Sequence, residues 1–189
     1  MRIRLALGAA LAVALSAPLA AHAGGGYISA GMGGGAGLDG ELGTFFTTED
    51  SGSARLSLGQ RIGPVALEAS LFGAGLVGQR AYVGMDAEYD TLTAGVDLKY
   101  YIGLTGPLEI YGKAGLNKTW LMEPDGVQHD YDGRGWDLGG GVQFTIDTPM
   151  AMAAVWLDFT HLRTELREEG RRRLDGRMNM LTLGVSLGF

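Results

Sequence analysis

The sequence predicts an all-β fold, an eight-stranded antiparallel up-and-down transmembrane β-barrel. Three observations predict it. Eight segments of about 9–12 residues alternate large apolar side chains with small or polar ones, the period of a strand with two unlike faces. The links joining these segments alternate strictly between long and short. Beyond the first two dozen residues, no apolar run approaches the roughly 18 residues that a membrane-spanning helix needs.

The elements follow in order. Met1–Ala23 reads as a cleaved signal peptide: Arg2 and Arg4 form a positive start, Leu5 through Leu15 an apolar stretch, and Ser16, Pro18 and Ala21-His22-Ala23 a helix break and a small-x-small cleavage site. Removal of these residues leaves 189 − 23 = 166 residues, a single domain spanning 24–189. Arg2 and Arg4 leave with the leader, so 15 − 2 = 13 basic side chains stand against 21 acidic ones, a balance of −8 that argues against nucleic acid as a partner. The chain has no Cys. No lipoprotein-type anchor is therefore expected, and an exported domain without disulfides needs a core, a metal or a membrane to stabilise it.

The strands are expected near 26–35, 53–62, 65–75, 90–101, 108–120, 135–146, 151–162 and 177–189. In the fourth, Leu92, Ala94, Val96, Leu98 and Tyr100 alternate with Thr93, Gly95, Asp97, Lys99 and Tyr101. In the sixth, Leu138, Gly140, Val142, Phe144 and Ile146 alternate with Asp137, Gly139, Gly141, Gln143 and Thr145. Gly24–Gly26 and Gly33–Gly35 blur the first. Such lengths suit tilted strands crossing a bilayer.

Gly63-Pro64, Gly103–Pro107 and Asp147-Thr148-Pro149 carry the residue types of tight turns. The long links are 36–52, 76–89, 121–134 and 163–176. Three short and four long links, beginning with a long one, place both termini on one side, with the short set facing the periplasm. Tyr100, Phe144 and Phe189 stand at the short-turn ends and Trp120 and Phe159 toward the long-link ends, an arrangement like two interfacial girdles. The glycine runs open no helix, so they are not phosphate loops; they give neighbouring side chains room on a curved wall.

The last segment runs Leu181-Thr182-Leu183-Gly184-Val185-Ser186-Leu187-Gly188-Phe189 and ends on an aromatic residue. It resembles the assembly signal of outer-membrane barrels. With its eight segments, the chain resembles the small outer-membrane β-barrel family, which includes the OmpA-type transmembrane domain. The resemblance covers essentially the whole chain after the leader. It implies a place in the outer membrane of a Gram-negative cell envelope, delivery to the barrel-assembly machinery with Phe189 as its signal, and contact with outer-membrane lipid and lipopolysaccharide. One departure is that no peptidoglycan-binding domain is expected after Phe189.

If the apolar parity faces lipid, the other faces a lumen carrying Arg55, Arg61, Glu68, Asp97, Lys99, Glu109, Lys113, Asp137 and Asp158. A charge on the lipid face would cost a few kcal/mol at mid-depth, so their segregation supports the register. They could form an ion path or gate. Alternatively they interlock and fill the lumen, which the narrow interior of an eight-stranded barrel favours.

His161 is expected to point outward near the extracellular rim. Lipid A deacylases, which are also eight-stranded barrels, carry a Ser two residues from such a His. Here that position is Arg163, and Thr164 falls on the other face, so an attacking group is missing. The link from Arg163 to Arg177 holds six Arg and four acids; Arg171, Arg172 and Arg173 could contact lipopolysaccharide phosphates, or the segment could simply be a self-paired, solvated loop. Met122–Arg134 carries Glu123, Asp125, His129, Asp130 and Asp132; Asp130, Asp132 and Gly133 faintly resemble a calcium loop but lack its later Glu, and the alternative is an acidic hydrophilic loop.

No catalytic residue, cofactor or metal is expected. The expected function is that of a non-enzymatic integral outer-membrane protein, envelope-structural or presenting surface loops. A narrow ion or small-solute channel and a lipid A-modifying enzyme are the alternatives.

Overall fold

The computed structural model describes residues 25–47, 52–78, 88–122, 131–147, 152–167 and 173–189 of the chain. Eight long strands carry it: β1 Gly26–Asp39, β2 Gly52–Ile62, β3 Val65–Gly78, β4 Glu88–Gly103, β5 Leu108–Met122, β6 Tyr131–Asp147, β7 Met152–Arg167 and β8 Arg173–Gly188. Each pairs antiparallel with its neighbours in sequence. β1 also pairs with β8, from Tyr27 opposite Gly188 to Asp39 opposite Arg177, and this closes the sheet. Closure satisfies the backbone groups that an open edge would leave bare in hydrocarbon.

The two faces of the wall differ in the sense set by the alternation. On β8, Leu181, Leu183, Val185 and Leu187 are exposed, as are Phe189 just beyond it, Val155, Leu157 and Phe159 on β7 and Leu67, Val96, Leu98 and Leu138 elsewhere. The buried set is largely polar or charged, with Ser29, Ser57, Thr93, Asp97, Thr119, Asp158 and Thr182 among it. A soluble barrel would show the reverse. An apolar outside stabilises this chain only where lipid replaces water.

Two of the expected short turns are described. At Ile62-Gly63-Pro64-Val65, Gly63 has φ 60°, and between β4 and β5 Gly106 has φ 59°, values at which a side chain is strained. The turns brace their neighbours: Tyr101 N–H donates to the Pro64 carbonyl at 2.7 Å, and Thr145 N–H to that of Pro107 at 2.9 Å. The third turn continues from Asp147 into residues outside the described ones. The leader Met1–Ala23 and most of the second and third long links also lie outside them.

The strands are longer than expected, 11 to 17 residues, and most of the added length is on the long-link side. β6 begins at Tyr131, β7 runs to Arg167 and β8 starts at Arg173, so the ladder continues where the alternation has stopped. Above the bilayer the outer face meets water or polar groups, as Arg163, Glu165 and Arg167 do, even where Leu166 stays buried inside. Backbone pairing persists there without an apolar outer face to mark it. The first long link also differs. β1 passes a bulge between Gly35 and Gly37, and a short helix α1, Gly40–Phe45, follows against β8. The carboxylate of Glu41 accepts from Asp175 N–H at 3.2 Å. Phe46–Thr47 then pairs with Val77 and Gly78 of β3.

Candidate functional site

All nine lumen charges expected from the sequence lie on the inward parity. Seven of them, Arg55, Glu68, Asp97, Lys99, Lys113, Asp137 and Asp158, are at most 7 % exposed. The pleat positions them: Glu68 stands opposite Asp97 across β3 and β4, and Lys99 opposite Lys113 across β4 and β5. Like-charged groups are thus direct neighbours on the ladder, and the compensation comes from other rungs of adjacent strands, as in Lys99 with Glu68, and from across the lumen, as in Lys113 with Asp158.

Arg55 is the hub. Its Nη2 donates to Glu68 Oε1 at 2.7 Å and to Asp97 Oδ2 at 3.3 Å, and its Nη1 to Asp158 Oδ1 at 3.3 Å. Lys99 Nζ donates to Glu68 Oε2 at 2.6 Å, and Lys113 Nζ to Asp158 Oδ1 at 2.7 Å. Glu68 also accepts from the Tyr27 hydroxyl, and Asp158 from Tyr111 and Thr160. A planar guanidinium suits this junction because its donors diverge in fixed directions toward three strands. Buried charges persist only when paired and hydrogen-bonded in this manner.

Arg61 and Glu109 form a separate pair near the short-turn end, bidentate at 2.7 and 2.8 Å and about one fifth exposed. Arg61 also lies 4.1 Å over the Tyr101 ring.

Two uncharged layers enclose the central charges. Tyr27, Ala66, Tyr101 and Tyr111 form a cluster on the side of the short turns. Toward the long links, Phe72, Ala74, Leu162, Met178 and Met180 pack together, with Leu38 against them. Leu76, Leu121 and Leu166 are almost fully buried at the same end. Reading charges alone misses these layers, yet the signal is in the parity: Tyr111 falls between Glu109 and Lys113, and Met178 and Met180 share the face of Thr182. Trp156 also points inward. It lies over Gly31 and Gly184, where a Cβ would strike its ring.

The other candidate residues are dispersed. His161 is on the outer face, its Nδ1 2.7 Å from Asn179 Oδ1 and its ring 5.8 Å from that of Trp136. Thr164 points inward and is buried. Arg163 and Arg177 both reach Asp175, at 3.3 and 3.5 Å, on the outer rim. Arg171 and Arg172 lie outside the described residues; Arg173 opens β8. Of the acidic set, Glu123, Asp125, His129 and Asp130 lie outside the described residues. Asp132 is exposed and paired with Lys118 at 2.8 Å. Among the described residues, no group of three or more His, Cys, Asp or Glu side chains could hold a metal ion. Phe189 N–H donates to the Gly26 carbonyl at 2.8 Å, joining the last residue to the start of β1.

Comparison with known proteins bears on this geometry. A family model described as outer membrane protein beta-barrel domain matches residues 5–189. Among solved structures, the Neisserial surface protein A is similar with TM-score 0.65 at 17 % identity, over 87 % of this chain and 97 % of its own. Ail, the attachment invasion locus protein of Yersinia pestis, gives 0.54 at 13 % identity, over 88 % of this chain and 99 % of its own. A major outer membrane protein from Thermus thermophilus gives 0.51 at 14 % identity, over 89 % and 100 %. At these identities the likeness is one of fold. No curated protein matches the chain.

Proposed function

Because the chain belongs to the outer membrane protein beta-barrel domain family, we propose that it is a sealed, non-enzymatic barrel that supports the envelope and presents its extracellular links. Its place is the outer membrane, in contact with lipid. The mature domain would be 24–189, released from a signal peptide ending at Ala23 and assembled through a signal ending at Phe189.

One observation carries the reading. Arg55 bonds three carboxylates from three other strands in the middle of the lumen. Conduction would require these bonds to break in a poorly hydrated interior, at several kcal/mol. The apolar layer of Phe72, Leu162, Met178 and Met180 adds a second obstruction that no ion can replace with hydration. The refolded mature chain in a planar bilayer is expected to be silent. Reproducible openings that change when Asp97 or Lys113 is neutralised would establish a channel instead.

The rim supports the non-enzymatic part of the reading. His161 is engaged by Asn179 and Trp136, and the residue two positions on is Arg163, bound to Asp175. A lipid A mass spectrum unchanged by overexpression is the expected result. A new or lost acyl chain would overturn it. Arg171, Arg172 and Arg173 would contact lipopolysaccharide phosphates, because bidentate guanidinium contacts suit a phosphate.

A further inference from the structure

The central charges do not cancel. Arg55, Lys99 and Lys113 give three positive charges, and Glu68, Asp97, Asp137 and Asp158 four negative ones, so 3 − 4 leaves −1 within a nearly solvent-free lumen. The excess has a definite place. Asp97 on β4 and Asp137 on β6 flank Gly115 of β5 on one rung of the ladder. Because Gly115 has no side chain, the two carboxyl groups converge over it: a Cβ there would stand 2.5 Å from Asp97 Oδ1 and 3.1 Å from Asp137 Oδ1.

Two oxygens at this point have no partner. Asp97 Oδ2 accepts from Arg55, but Oδ1 is buried and unbonded. Asn117, 6 % exposed and two residues from Gly115, donates its Nδ2 to Asp137 Oδ2 at 3.1 Å. This bond orients the amide and leaves Asn117 Oδ1 buried and unbonded as well. Asp97, Asp137 and Asn117 line one small cavity together with Thr93, Lys113 and Thr160. The cations nearby are committed elsewhere, Lys113 Nζ to Asp158 at 2.7 Å and Lys99 Nζ to Glu68 at 2.6 Å.

We infer that Asp97, Asp137 and Asn117 form a buried site for a small monovalent cation of sodium type, taken up as the barrel folds. A single positive charge closes the balance, which a divalent ion would overshoot. Hard oxygen donors from two carboxylates and an amide suit an alkali cation. A proton shared by the carboxyl groups would serve Asp97 but leave the Asn117 oxygen unbonded. A water could serve both oxygens yet would leave the charge. The site does not depend on whether the barrel conducts, and its test reads folding rather than current.

The mature chain is refolded into vesicles, and its urea midpoint is read from the heat-dependent gel shift. Sodium chloride is compared with tetramethylammonium chloride, whose cation is too large for the cavity, at equal ionic strength and pH. The wild type is expected to gain stability saturably with sodium, roughly a hundredfold in its folding equilibrium at a hundred times the dissociation constant. Asp97→Asn and Asp137→Asn are expected to be insensitive to the choice of cation. Independently of any variant, crystals grown with thallium(I) are expected to show an anomalous peak between Asp97 and Asp137. A midpoint indifferent to the cation but rising as pH falls would assign a shared proton and overturn the site. Indifference to both cation and pH, with no thallium peak, would leave only water there and overturn it equally.

Discussion

Arg55 is the residue on which the interior depends most. Its replacement by Met removes one charge and three hydrogen bonds while Glu68, Asp97 and Asp158 stay buried, and breaking a buried pair in this way costs about 3–5 kcal/mol. The Arg55→Met variant should therefore show a clearly lowered urea midpoint in vesicles. Arg61 and Glu109 form the better-looking pair, bidentate and short, but their side chains are 22 % and 19 % exposed. Solvent screens them, and a double-mutant cycle on the two should return about 1 kcal/mol or less. Equal costs at the two sites would mean that water reaches the centre of the lumen as freely as its mouth. Trp156 makes a different demand. Gly31 on β1 and Gly184 on β8 leave the hollow that its ring fills. Gly184→Val should destabilise by about 1–3 kcal/mol through overpacking, and Trp156→Ala by about 3–5 kcal/mol through the void it leaves. The double variant should lose less than the sum, as read by the same midpoints.

At the scale of the element, the strands outrun the bilayer. Arg163 to Arg167 and Arg173 to Arg177 form a ladder in which Thr164 faces Gly176 and Glu165 faces Asp175. Their amides should be protected from hydrogen exchange in the vesicle-bound protein, like those of Leu181 to Leu187; rapid exchange there would end both strands at the membrane surface. This stretch also shows how far the sequence could be read. Within the apolar band the strands after the glycine-blurred first one were plainly legible, because lipid on one side and a polar lumen on the other impose an alternation that Leu181 to Phe189 display residue by residue. Past His161 and Asn179 the outer face turns polar, and nothing in the pattern distinguishes a paired backbone from a loop. The charged members of the lumen were legible for the same reason as the strands, since a charge on the lipid parity would be costly. Their partners were not. Arg55 meets Asp158 across 103 residues of sequence and from a strand that is not its neighbour, a contact set by the curvature of the closed wall rather than by any spacing. The helix Gly40–Phe45 escaped notice because it is six residues long and supported by Asp175 of β8 rather than by a periodic face of its own.

For the whole molecule, the inverted partition of side chains ties stability to depth in the bilayer. Val185 lies in the middle of the outward apolar run of β8, which extends from Leu181 to Phe189 and is flanked by Val155 on β7. Asn179 is on the same face of the same strand, six residues nearer the long-link end, about 20 Å away at the usual rise of a strand. It stands in the polar rim, bonded to His161 and near the Asp175 cluster. A new arginine should read this difference directly. Val185→Arg should cost about 2–4 kcal/mol, the penalty for a cation near the bilayer midplane, and Asn179→Arg about 0–1 kcal/mol, the penalty near the interface. The urea midpoints of the two variants, measured in vesicles of the same lipid, check the prediction, and thinner lipid should reduce the cost at Val185 more than at Asn179. Equal and small costs at both positions would mean that water, not lipid, bathes the apolar face. The membrane would then no longer be what stabilises this barrel.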